Sequence, residues 1–543
     1  MPPVTLTRHG GTLARLNAPR LAGLAIDTLS VVACVWYATL LSRGMDVNFD
    51  QLSYHYYYSW LLFHGGVAQV DPEPFTNRYV NPLPELPWFL LDTTFSPRVT
   101  AGFMGLFAGL NLPLLRRVTT ICLPDAMTAT RRLVLGATAV LMGGTGVVFS
   151  MSLGTSLGDV LVSIPALGAL LILLNCGRQA SSCRSAAAWY LTAGGLAGIA
   201  VGAKLTMAPL VVGLGVLAVV LAVRDRSARP VAAFAVGGVI GVALSAGWWY
   251  ARVWVATGNP IFPYFNGVFR SPLWGDDNFR DERFGAGSID GLLSFPIYMW
   301  EGSRRLLDYE IRDPRWVVLS ALFVVVAALA VVRRVRGRRM LGGVQMAPMG
   351  LLAGFFAVSG LVWAFQFGIA RYAVVLELLT GALFVLGLQY VLRREWLTVG
   401  VGVAVVGSML PFTRGTVEHV PFARDRYQID AAAFSAIPAG SEVLVNAYSA
   451  PSGFMLTELG NRVKRHVVHP WFYGSPLLEK LKTQELSRAK DIFVIQRNDW
   501  QSQKVRVRQF QEALNLRVLP ETCVVLKSSV RDRVLCRAEW TGE

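Results

Sequence analysis

The sequence predicts a polytopic α-helical membrane protein with a small α/β domain at its C-terminal end. Of its 543 residues 53% are hydrophobic and only 16% charged, and the mean hydropathy is +0.44, which is too apolar for a soluble globular chain. The apolar residues fall into about eleven stretches long enough to cross a bilayer, and these stop near residue 411. From residue 412 onward the composition becomes that of a soluble domain. The net charge of +16 does not argue for nucleic acid, because the arginines cluster in short runs between apolar stretches rather than along one soluble face. Six cysteines show no CxxC pair and no Cys/His spacing suited to zinc, so neither a metal centre nor a redox motif is indicated.

The first stretch, 21–41, follows a polar segment carrying Arg8, Arg15 and Arg20 and has no small-residue cleavage pattern. It reads as an uncleaved anchor with a cytoplasmic N-terminus. Residues 44–97 are too polar and proline-broken to span. With Trp60, Trp88 and the run NPLPELPWFLL they form an amphipathic outer loop expected to lie on or dip into the outer leaflet. Spans follow near 97–115, 132–150, 159–175, 186–203, 205–223 and 231–250. Their inner turns hold Arg116, Arg117, Arg131 and Arg132, then Arg178 and Arg184, then Arg224, Arg226 and Arg229. A second outer loop, 251–315, carries too many charges and prolines to cross. Spans near 316–332, 347–366, 372–391 and 396–411 come next, with Arg333, Arg334, Arg336, Arg338 and Arg339 in one inner turn and Arg393 and Arg394 in another. Eleven crossings of this register put residues 412–543 outside.

In that final part the β-rich runs EVLVNA, DIFVIQ, CVVLKSS and RVLCRAEW alternate with the helix-like SPLLEKLKTQELSRAK and QKVRVRQFQEALN, an α/β pattern. CVVLKSSVRDRVLC can fold as a hairpin turning near Ser529 to Asp532, which would bring Cys523 close to Cys536. An oxidising compartment would permit a disulfide there, and two unpaired buried cysteines are the alternative. Cys34, Cys122, Cys176 and Cys183 read as ordinary small residues.

The stretch FDQLSYHYYYSWLLFHGG, directly after the first span, carries the chemistry. It places the carboxylate of Asp50 at the mouth of a membrane helix and begins a short aromatic helix. Strict helical spacing would set Asp50, Ser53, Tyr54, Tyr57, Tyr58 and Leu61 on one face along the membrane boundary, where tyrosine is favoured. An acid at that depth is a functional candidate; the structural alternative is that Asp50 only caps the first turn. Asp46 either competes as a base or marks the water boundary. His55 either bonds a sugar or phosphate or is structural. Asp159 either binds an acceptor sugar or caps its helix. Arg371, between two spans on the outer face, suits bidentate phosphate binding or else pairs with Glu377 or anchors at the headgroups. Lys204 and Arg270 are further cationic candidates. Asp276, Asp277, Asp281 and Glu282 could hold a divalent ion or form a solvated charge run.

Phe49-Asp50-Gln51 with Tyr54 and Gly65 resembles the first-loop acidic motif of the GT-C superfamily of membrane glycosyltransferases, with Gln51 standing where a second acid often follows. TGNPIFPYFN (Thr257 to Asn266), GTSLGD (Gly154 to Asp159) and ARYAVVLELL (Ala370 to Leu379) are similar to segments of bacterial members that use polyprenyl-phosphate sugars. The resemblance implies a multi-pass protein of the bacterial inner membrane with a periplasmic C-terminal domain. It also implies a polyprenyl-phosphate-linked sugar donor, an extracytoplasmic glycan, glycolipid or protein acceptor, and no nucleic acid. A lipid-linked donor holds its phosphate at headgroup level, so the site must sit at the membrane face, and one carboxylate suffices as base for direct inverting displacement. Two other classes compete. A transporter or flippase should show inverted repeats or charged residues in mid-span, and a polysaccharide polymerase or ligase usually relies on arginines in large outer loops.

Overall fold

The computed structural model describes residues 18–42, 44–64, 70–178, 187–302, 311–336, 346–415, 417–430 and 432–542. Arg8, Arg15, Gly65, Cys183, Arg184, Arg338 and Arg339 lie outside the described residues.

Among the described residues nine helices are long and apolar enough to cross a membrane: Ala18–Leu41, Pro97–Ile121, Asp159–Arg178, Leu205–Asp225, Arg229–Thr257, Arg315–Val335, Ala347–Gln366, Ala370–Leu392 and Glu395–Phe412. The chain is thus a polytopic helical membrane protein. The two remaining expected spans differ from the rest. Ala187–Ala203 is apolar but shorter. Near 132–150 the chain forms a helix over Ala129–Gly144 and, after a break, a second one over Val147–Met151.

Residues distant in sequence cause that break. The buried guanidinium of Arg315 donates to the carbonyls of Met142 and Thr145 at 2.6 and 2.7 Å, satisfying the end of the first helix. The Glu377 carboxylate accepts the amides of Val148 and Phe149 at 2.9 and 2.7 Å, satisfying the start of the second. Charges are therefore not confined to span ends. Within the bundle Asp27 also takes a bidentate pair of hydrogen bonds from Arg116, both 2.7 Å.

The helix Ala370–Leu392 is the axis of the bundle, every residue from Val374 to Tyr390 being buried. It meets Ala129–Gly144 backbone to backbone: a Cβ on Gly381 would lie 2.2 Å from the Ala139 carbonyl oxygen, and one on Gly143 would lie 2.4 Å from that of Leu378. Burying this helix fixes the position of its first turn, which carries Arg371.

The two long loops are tied to the chain that follows the last span. Met45–Asp46 pairs antiparallel with His419–Val420, and Ile311–Arg312 with Arg414–Gly415. Beyond them lies a six-stranded mixed sheet. Glu442–Asn446 runs parallel to both Lys464–Val468 and Ile492–Arg497. Arg533–Trp540 runs antiparallel to Ile492–Arg497, Leu516–Val518 and Val524–Leu526. The four β-rich runs named above are strands, and helices Pro476–Gln484 and Lys504–Leu514 lie in the expected helical stretches. The strand Val524–Leu526 and the start of Arg533–Trp540 form the hairpin, and a disulfide joins Cys523 to Cys536.

One expectation about the first loop is overturned. Its helix does not present a tyrosine face along the membrane boundary. Residues 51–55 form a wide π turn in which Gln51, Leu52, Ser53, Tyr54 and His55 are all buried. Tyr54, Tyr57 and Tyr58 share one apolar core with Phe434, Val443, Phe454 and Leu456 of the C-terminal region. The approach is close enough that a Cβ on Gly453 would sit 2.0 Å from the Ser53 carbonyl oxygen. The rings lose more water-exposed area against this sheet than they would at an interface, so the loop is a seam between the bundle and the C-terminal region.

The arginine-bearing turns make a topological prediction. A reporter fused at Arg336 is expected to signal from the cytoplasm and one at Gly542 from outside; an outside signal at Arg336 would reverse the orientation.

Candidate functional site

Four distant parts of the chain converge on a cleft of about 330 Å³. The first loop contributes Phe49 and Asp50; the second contributes Tyr264, Phe279, Arg280, Asp281 and Arg283. The start of the axial helix contributes Arg371 and Tyr372, and the C-terminal region Tyr448, His469 and Trp471.

Asp50 has helical backbone angles and makes no capping hydrogen bond, so the capping alternative is not the arrangement in this structure. Its carboxylate instead accepts a hydrogen bond from Arg371 Nη1, across 321 residues of sequence. Arg371 does not pair with Glu377, whose oxygens are taken by the amides at the helix break. Its other contact is the Tyr372 hydroxyl, at 3.4 Å. Burial acts to raise the Asp50 pKa, but the positive charges of Arg371 and, to a lesser degree, Lys204 outweigh it and hold the carboxyl below its ordinary value. Asp50 is therefore an anion at neutral pH, paired with the cation that lines the same wall.

Asp46 is placed differently. One oxygen accepts from Asn48 Nδ2 at 2.6 Å and from the amide and hydroxyl of Ser156, both at 3.1 Å; the other accepts from Arg426 at 3.2 Å. Arg426 is held in turn by Asp92 at 2.8 Å. A buried carboxylate with its lone pairs occupied in this way joins the first loop to the C-terminal region and is poorly placed to take a proton. Asp46→Asn is accordingly expected to lower stability by about 1–3 kcal/mol while leaving turnover per folded molecule close to wild type, compared by thermal unfolding and by assay of the folded fraction.

Lys204 and Asp159 form a buried ion pair at 2.9 Å behind the cleft, Asp159 lying in the first turn of its helix. His55 Nδ1 contacts the Ser156 hydroxyl at 3.2 Å, and its Nε2 lies 3.6 Å from Glu85, beyond hydrogen-bond reach. Burial pushes His55 down to about 3 and Glu85 up to about 8, so at neutral pH both are uncharged. Tyr54 is buried with its ring edge-on to His55, at 4.5 Å between centroids. Gln51 is fully buried, its amide 2.7 Å from the Tyr427 hydroxyl. None of Tyr54, His55, Asp46, Asp159 or Lys204 lines the cleft.

Arg270 is exposed and away from the cleft. The arginines of the second loop that do line it are Arg280 and Arg283, which nothing local in the sequence distinguishes from Arg270. Asp281 pairs with Arg283 at 2.8 Å, while Asp276, Asp277 and Glu282 are exposed, so the acids of this loop form no ligand cluster. Among the described residues, the group whose ligand atoms converge as a metal site would need is Glu442, His466 and Glu485, elsewhere in the C-terminal region. There the Lys464 ammonium already lies 3.1 Å from each of the two carboxylates.

Tyr448, His469 and Trp471 were also missed. Tyr448 follows strand Glu442–Asn446, and His469 and Trp471 follow its parallel neighbour Lys464–Val468, so both loops leave the sheet at one edge. That the carboxyl ends of parallel strands deliver binding residues is the one signal that could have found them. The Arg283 guanidinium lies over the Trp471 ring at 5.2 Å, closing the second loop onto this edge.

No family model matches the chain, and no curated protein matches it. Among solved structures it is similar to ArnT from Cupriavidus metallidurans in the apo state, with a TM-score of 0.47 and 12% identity over 95% of this chain and 98% of that one. The same protein bound to undecaprenyl phosphate gives a TM-score of 0.45 and 11% identity over 95% and 97%. The chain is also similar to the apo oligosaccharyltransferase of Archaeoglobus fulgidus, with a TM-score of 0.45 and 11% identity, covering 88% of this chain and 69% of that one.

Proposed function

We propose that the protein is a GT-C-type membrane glycosyltransferase that moves a sugar from a polyprenyl-phosphate donor to an extracytoplasmic acceptor by a single inverting displacement. The observation that carries the reading is the pairing of Asp50 with Arg371 on the wall of one cleft, at the end of the first span and the start of the axial helix. These are the two groups such a transfer needs. The acceptor hydroxyl attacks the anomeric carbon as Asp50 takes its proton. The anomeric carbon–oxygen bond breaks, and polyprenyl phosphate leaves with the electron pair, its charge met by Arg371 with Arg280 and Arg283 nearby. Tyr264, Phe279, Tyr448 and Trp471 give the cleft aromatic faces on which sugar rings can pack.

Arg280 and Arg283, supplied by the large outer loop, also favour a second reading, a polysaccharide polymerase or ligase at the same face. The donor separates the two. Incubating purified protein with a polyprenyl-phosphate monosaccharide and envelope glycan acceptors is expected to release free polyprenyl phosphate. Transfer only from a polyprenyl-diphosphate glycan would favour the ligase, and donor movement across a vesicle without bond cleavage would favour a flippase.

A further inference from the structure

A second pocket, of about 620 Å³, lies beside the cleft between the first loop and the C-terminal sheet. Its lining adjoins that of the cleft in sequence at two points: Leu52 lies two residues beyond Asp50, and Ser449 follows Tyr448. Three arginines line it, together with the carboxylates of Glu418, Asp499 and Asp532. On the antiparallel ladder Arg533 stands directly opposite Arg497, a like-charged cross-strand pair that is destabilising by itself, and Arg531 is two residues away. Arg497 is compensated by Asp499 at 2.8 Å and Arg531 by Glu418.

Arg533 is not compensated. It is 5% exposed, and its guanidinium donates to the Ser452 hydroxyl at 2.7 Å and to the carbonyls of Pro451 and Asp532 at 2.9 and 3.0 Å, all uncharged acceptors. Three of its five donors are used. Among the described residues no carboxylate lies within ion-pair distance of it; Asp532, the nearest in sequence, accepts the Ser528 amide. Burial, then Arg531 and Arg497, push this guanidinium down to about 10, an effect that the more distant Asp499 and Asp532 only partly offset. Independently, the Ser449 hydroxyl, also 5% exposed and lining the same pocket, has no hydrogen-bond partner.

We propose that this pocket is an anion site, completed by Arg533 and Ser449, that holds a phosphate or carboxylate group of the acceptor while the acceptor's reacting hydroxyl reaches Asp50. That the pocket binds an anion stands on its own residues; that the anion belongs to the acceptor rests on the glycosyltransferase reading.

The test uses the full chain in detergent or nanodiscs with inorganic phosphate as probe, in an Arg371→Ala background so that the cleft contributes little. Saturable phosphate binding is expected in that background, weakened about tenfold by adding Ser449→Ala, the equivalent of one hydrogen bond to a charged group, and abolished by adding Arg533→Met. No saturable binding, or binding indifferent to Ser449→Ala, overturns the site; the serine variant decides if Arg533→Met does not fold. In otherwise wild-type protein Ser449→Ala should raise KM for an anionic acceptor and leave KM for the donor unchanged. Weakened phosphate binding with an unchanged acceptor KM would overturn the assignment to the acceptor while leaving the glycosyltransferase reading intact.

Discussion

Asp50→Asn is expected to lower turnover by at least about a hundredfold while the protein folds normally, because asparagine keeps the shape of the side chain but cannot accept the acceptor's proton. Since Asp50 makes no capping bond, the substitution removes no helix cap. It does remove the charge opposite Arg371, and this leads to a second expected result. On the proposed mechanism the wild-type carboxylate and an incoming phosphate compete for one guanidinium, so the asparagine variant should bind polyprenyl phosphate at least as tightly as wild type, and tighter if the competition is strong. A structural ion pair would give the opposite, a looser site. The pH profile offers a further check. A base held below its ordinary pKa stays deprotonated through neutral pH and is lost only as pH falls through that lowered value, so kcat/KM should show an acid limb that Asp50→Asn abolishes. Activity near wild type in this variant would remove Asp50 from the mechanism.

Arg371→Ala is expected to act on binding and turnover together. Losing a charge-assisted contact to phosphate should weaken polyprenyl-phosphate affinity roughly ten- to a hundredfold. It also leaves Asp50 buried without its principal cation, so the effect of burial is less opposed and its pKa rises. Arg371→Lys keeps the charge but not the planar fork and should fall between the two. Titrating each variant with polyprenyl phosphate separates the effects; a dissociation constant in Arg371→Ala equal to wild type would mean that the arginine serves Asp50 alone.

The physical character of each signal decided how legible it was in the sequence. Nine spans could be read because crossing a bilayer demands about twenty apolar residues in one run, which is a local property. The interruption near Thr145 could not, because the groups that satisfy the broken ends, Arg315 and Glu377, lie on other helices. Asp50 and Arg371 each stood out as a charge at a span end, yet nothing local tied one to the other. The tyrosine helix was assigned a boundary face because strict helical spacing was assumed. The wide turn at Gln51–His55 and the sheet packed over it follow from contacts with Phe454 and Gly453, some 400 residues away. In the second loop, charge alone pointed to Arg270, whereas the path of the folded loop puts Arg280 and Arg283 on the cleft. The parts of the site that could be read were those set by depth in the membrane, and the parts that could not were those set by long-range packing.

A single displacement by one carboxylate base has a stereochemical consequence that does not depend on which sugar or acceptor is used. The measurement is the anomeric configuration of the transferred sugar, determined by NMR on product formed from a polyprenyl-phosphate donor of known anomer. The account predicts the configuration opposite to that of the donor. Retention would contradict it, because retention needs a covalent intermediate or a same-face route that Asp50 acting only as a base does not supply.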